Sequence, residues 1–176
     1  FELNPVYFER AIVILTRLLD QYPSFVYARY NLAMAYYHLG DAIGEVEPLE
    51  KSIEFFEMTL KEDEEDDGVL SDLGLAYLTM ADIINETIPN QRSADAFKSA
   101  EHYLMKSIGL GSTRANYYMA CLHSLQGRLR EAMQFLERAK LVRALPSTQD
   151  LLEDEWLESL RQTPHFKAFV GELTEE

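Results

Sequence analysis

Apolar residues recur three and four apart along almost the whole chain, and runs that alternate with period two are nearly absent. Intervals of three and four place side chains on one face of an α-helix, so the pattern predicts helices throughout. Ala11, Ile12, Leu15, Leu18 and Leu19 form one such face. Pro5 stands near the start of that helix and Pro23 stops it. Gly40-Asp41, Pro89-Asn90, Gly127 and Pro146-Ser147 are further punctuation. Gly44 and Pro48 mark a restart, and Ser93 is expected to cap the helix after Pro89. Two helices are expected after the last break, over 148–161 and 164–173.

The faces repeat. Leu32, Ala33 and Tyr36 set a pattern of Leu, small residue and aromatic. Leu73, Gly74 and Tyr77 follow it, and Met119, Ala120 and His123 follow it again. A second pattern, small residue then large apolar residue four on, occurs as Ala11/Leu15, Ser52/Phe56, Ala100/Leu104 and Ala132/Leu136. From the small residue of the second pattern to the next first pattern, the steps run 11 to 32, 52 to 73 and 100 to 119. These steps are nearly constant, as stacked units require. The reverse steps run 32 to 52, 73 to 100 and 119 to 132, so two units carry lengthened helices or an enlarged turn. The small residues mark places where helices cross closely.

This constellation resembles the tetratricopeptide repeat family, over most of the chain. The segment from Asp154 to Phe166 resembles the tail that closes many bacterial arrays of that family, and Tyr117 to Gly127 resembles their last repeat. The resemblance implies an all-α, right-handed superhelix of antiparallel helix pairs with a C-terminal helical cap. It implies one domain over 1–176: a half-repeat helix over 1–23, repeats over 24–66, 67–111 and 112–145, and a cap over 146–176. Trp156, Leu157, Leu160, Phe166 and Phe169 would close the final apolar face. The leading half-repeat lacks its first helix, so the chain begins mid-repeat or another element covers that face. Starting at Phe1 rather than Met, the sequence reads as part of a longer protein.

Composition narrows the function. Asp and Glu number 30 against 16 Lys and Arg, for a net charge of -14, which disfavours phosphate-rich partners and anionic membrane. No apolar run reaches the roughly 18 residues of a membrane span. One cysteine excludes an internal disulfide and favours a cytoplasmic setting. His38, His102, His123 and His165 show no zinc-binding spacing, and no phosphate loop or nucleophile elbow occurs. His123 and Cys121 fall within the repeat pattern, where packing accounts for them. The acidic run from Glu62 to Asp67 lacks the ligand spacing and glycine of a calcium loop and reads as a solvated connector. The sequence therefore predicts no enzyme activity, metal or cofactor.

In the family, first helices line a concave groove. Helical spacing carries that groove onto Tyr27, Tyr30, Met34 and Tyr37, then Ser71, Leu75 and Leu78, then Tyr117, Cys121 and Ser124. The alternative is that these side chains pack between helices or beneath the C-terminal cap. Asn31 matches one position of the carboxylate clamp found in some members, but Tyr30, Met34, Ser71, Asp72 and Tyr118 stand where its other polar and basic residues would be. The expectation is a non-enzymatic scaffold binding a peptide or helix with apolar anchors and a basic rim. A chaperone for secreted bacterial substrates, or a structural module that packs within a larger chain or self-associates, are the alternatives.

Overall fold

The computed structural model describes residues 4–87 and 89–175; residues 1–3 of the expected leading helix, Ile88 and Glu176 lie outside the described residues. Ten α-helices and one 3-10 turn make up the described chain, without a strand. Among the described residues no helix is long and apolar enough to cross a membrane. The described chain divides into two compact units, meeting in sequence at Leu110 and Gly111.

The first unit holds α1 (Pro5–Gln21), α2 (Val26–Ile43), α3 (Val46–Leu60), α4 (Asp67–Thr87) and α5 (Gln91–Leu110). Asn4 caps α1 by accepting the Val6 N–H at 3.1 Å, with Pro5 preset for the first turn. Gly40 and Asp41 do not close α2, because the helix continues to Ile43 and ends on Gly44 in the left-handed conformation (φ 66°). Asp66 caps α4 through the Val69 N–H at 2.9 Å. Asn90, not Ser93, caps α5: its Oδ1 accepts from Arg92 N and Ser93 N, while the Ser93 hydroxyl bonds back to Asn90. At 21 and 20 residues, α4 and α5 are the lengthened helices the spacing implied.

Each helix packs on the next, and α2 also meets α4. The core runs through Leu32, Leu49, Phe56, Leu70, Leu73 and Leu104, all essentially without exposed surface. Burial of each such side chain contributes about 1.5–3 kcal/mol. Gly74 allows the α4–α5 approach: a Cβ there would lie 2.7 Å from Leu104 Cγ and 3.2 Å from its backbone nitrogen. On α2 the buried stripe is Ala28, Leu32, Ala33, Ala35, Tyr37 and Gly40. Tyr36, expected in that stripe, is instead half-buried and stacks on Phe55 at 5.8 Å.

The second unit holds α6 (Ala115–Leu125), α7 (Leu129–Leu141), α8 (Thr148–Glu153), the 3-10 turn Glu155–Leu157, α9 (Glu158–Arg161) and α10 (Pro164–Glu175). Gly127 (φ 70°) turns α6 into α7. Ala120 and Ala132 are fully buried, and His123 packs face-on against Phe135 at 5.2 Å. The helix expected over 148–161 is broken at Asp154, whose carboxylate accepts the Trp156 N–H at 2.9 Å and starts the 3-10 turn. Leu157, Leu160, Phe166 and Phe169 are buried, whereas Trp156 is only half-buried.

Candidate functional site

The groove residues of α2 meet different fates. Tyr27 is 74% exposed. Tyr30, one turn on, is half-buried; its ring meets Phe56 edge-on at 5.9 Å and its hydroxyl donates to Asp72 Oδ2 on α4 at 2.8 Å. Met34 is half-buried. Tyr37 is 8% exposed, and the Thr79 hydroxyl lies 3.5 Å from its own. On α4, Ser71 and Leu78 are buried and Leu75 is half-buried. Tyr37 and Leu78 thus belong to the core between helices and leave little or no surface for a partner.

In the second unit, the Tyr117 hydroxyl donates to Asp154 Oδ2 at 2.5 Å, and Cys121 Sγ stands 3.9 Å from the same oxygen. Cys121 and Ser124 are buried. The Tyr117 and Cys121 side of α6 is therefore engaged by the chain's own C-terminal segment. Burial, more than the neighbouring carboxylate, pushes the Cys121 thiol well above its ordinary range. A buried thiol held protonated is a weak nucleophile.

Of the expected groove, the α2 end stays open in the first unit. The start of α2, the end of α3 and the start of α4 enclose a largely apolar cleft of about 220 Å³. Val26, Tyr27, Tyr30, Thr59, Gly68 and Val69 line it, with Asp66 at its edge. Met34 and Leu75 are not in its lining. Val26, Thr59, Gly68 and Val69 were not expected from sequence, because three separate helix ends bring them together.

Charge beside the cleft is mostly acidic, with Lys61 and Lys106 as neighbouring cations. Residues 61–66 are all exposed, and Glu62 to Asp66 among them are acids. Their backbone is tied down: Lys106 Nζ donates to Glu64 O at 2.9 Å, and the Ser107 hydroxyl donates to Asp67 O at 2.7 Å. Arg29, the nearest cation on α2, is 8% exposed. Its guanidinium donates to Met58 O at 3.1 Å and Pro23 O at 3.0 Å and lies 3.4 Å from Glu62. Arg29 therefore staples the loop before α2 to the end of α3 and meets one acid of the rim, Glu62. Its place in an otherwise apolar stretch of α2 was the sequence signal for this role.

Among the described residues no cluster of three or more His, Cys, Asp or Glu is placed to hold a metal ion. No family model, no curated protein and no solved structure matches the chain.

Proposed function

We propose that the chain is a non-enzymatic protein-interaction module of tetratricopeptide type, whose first unit binds a peptide or helix carrying an apolar anchor flanked by Lys or Arg. The observation that carries this reading is Tyr27, a largely exposed aromatic at an apolar cleft beside a run of exposed acids. An apolar side chain entering the cleft would lose water against Val26, Tyr30 and Val69. The acids would speed encounter with a basic segment and select against an acidic one. Tyr30 is held by Asp72, so one wall of the cleft is ordered before binding, which lowers the entropy lost on association.

The near-constant steps between repeat patterns, the close α4–α5 approach at Gly74 and the packing of each helix of the first unit on the next support the tetratricopeptide assignment. In that assignment α2–α3 and α4–α5 are two hairpins of the first unit, stacked in the right-handed sense of the family. Selection from a random peptide library tests the binding. Enriched peptides should share an aliphatic or aromatic residue next to Lys or Arg, and Tyr27→Glu should abolish their binding while the helical signal is unchanged. Enrichment of acidic peptides, or binding indifferent to Tyr27→Glu, would overturn it.

A further inference from the structure

Seven residues line the cleft, and Asp66 alone among them carries a charge. Its carboxylate is exposed but held in place. Oδ1 accepts the Val69 N–H at 2.9 Å, and the Asp66 carbonyl accepts the Leu70 N–H at 3.0 Å. Val69 is 5% exposed and Leu70 has no exposed surface, so both donors are rooted in the core. The second carboxylate oxygen, Oδ2, has no partner among the described residues. The N-cap bond thus orients the carboxylate and leaves one oxygen for a donor from outside.

The other acids of the run are differently placed. Glu62 lies 3.4 Å from Arg29, Asp63 Oδ1 accepts the Glu65 N–H at 3.0 Å, and Lys106 Nζ donates to Glu64 O. None of these acids lines the cleft, and neither does Lys61 or Lys106. Exposed charges that do not touch a partner act mainly on encounter, because salt screens them beyond about 8 Å at physiological strength. An ammonium suits the one open oxygen, as a compact point charge. A guanidinium outdoes it by placing two parallel bonds on two oxygens. Here the Val69 N–H already occupies Oδ1, so that advantage is lost. The methylene stem of a lysine also covers apolar surface on its way to the edge of the cleft.

We propose that Asp66 selects the partner's basic residue, and that this residue is a single lysine beside the apolar anchor. The inference rests on the anchor entering the cleft as proposed above. It divides the acidic run into one acid that contacts the partner and others that only attract it.

The test uses the tightest peptide of the library selection, labelled with a dye and read by fluorescence anisotropy. Its basic residues are changed to Gln one at a time and measured against the unmodified chain, Asp66→Asn and Glu65→Gln. Asn keeps an oxygen for the Val69 N–H, so the helix cap persists, and circular dichroism checks the fold. Glu65→Gln removes the same charge from an exposed residue outside the cleft. At one basic position, the change to Gln should weaken binding to the unmodified chain and to Glu65→Gln by about fivefold. For Asp66→Asn the same change should make no difference. At that position arginine should bind no tighter than lysine.

The inference is overturned if Asp66→Asn and Glu65→Gln weaken the parent peptide equally, or if every basic position responds alike to Asp66→Asn. It is also overturned if arginine binds several-fold tighter than lysine at the responding position. In those results Tyr27→Glu still abolishes binding and the cleft reading stands. A selection that enriches no peptide, or a peptide indifferent to Tyr27→Glu, overturns both.

Discussion

The hydroxyl of Tyr30 donates to Oδ2 of Asp72 at 2.8 Å, joining α2 to α4 beside the cleft across 42 residues of sequence. Asp72 is buried, so its carboxylate depends on donors from the protein. Tyr30→Phe removes one of them and should cost about 1–3 kcal/mol in urea unfolding. Asp72→Asn retains an accepting oxygen and should cost less than Asp72→Ala. Equal losses for the two Asp72 variants would show that the hydrogen bond is not what holds the pair.

Gly74 and Gly109 should respond to alanine with opposite sign. At Gly74 the added methyl meets Leu104 side chain and backbone, so α4 and α5 must separate, at about 1–3 kcal/mol. At Gly109 nothing lies within 4 Å, and Ala should stabilise by up to about 1 kcal/mol through its helix propensity. Differential scanning calorimetry reads both shifts. A stabilising Gly74→Ala would contradict the close approach.

Ala132→Asp should remove cooperative unfolding of the second unit. The site is fully buried, and an unpaired carboxylate there costs several kcal/mol. A normal circular-dichroism melt of this variant would contradict the repeat assignment of α7.

Stability should fall at alkaline pH through Tyr117 and Cys121. Burial chiefly holds the Tyr117 phenol protonated well above its usual range, with Cys121 and Asp154 adding to the effect. The Cys121 thiol is raised likewise by burial. Once unfolded, the thiol ionises from about pH 8.5 and the phenol from about pH 10. Above those values the unfolded chain binds fewer protons than the folded one, so stability declines as pH rises. Below them the contribution is fully present. Tyr117→Phe should flatten the decline above about pH 10 in urea midpoints. The unmodified chain should react with a thiol reagent only as the second unit opens, faster with added urea.

Helix existence was legible because Leu32, Leu73, Leu104 and Leu136 sit on three-and-four spacings with small neighbours that mark close crossings. Helix phase was less so. Tyr36 and Tyr37 are adjacent and both aromatic, so either could join the core stripe; the structure buries Tyr37. Leu78 follows Tyr77, and Cys121 lies between Ala120 and Leu122, with no charged neighbour to mark the solvent side. The cleft was half legible: Tyr27 and Tyr30 share a face of α2, but Val69 and Thr59 reach them only through tertiary packing. The Tyr117–Asp154 contact depended on a helix break at Asp154, where sequence periodicity continued a helix.

Chemical-shift mapping by nuclear magnetic resonance tests the central claim most directly. The isotope-labelled chain would be titrated with the peptide consensus selected from the library. The account predicts that shifts concentrate at Val26, Tyr27, Tyr30 and Val69, with smaller ones along Glu62–Asp67, and that added salt weakens them. Shifts centred on other faces of the first unit, or confined to the second unit, would contradict it.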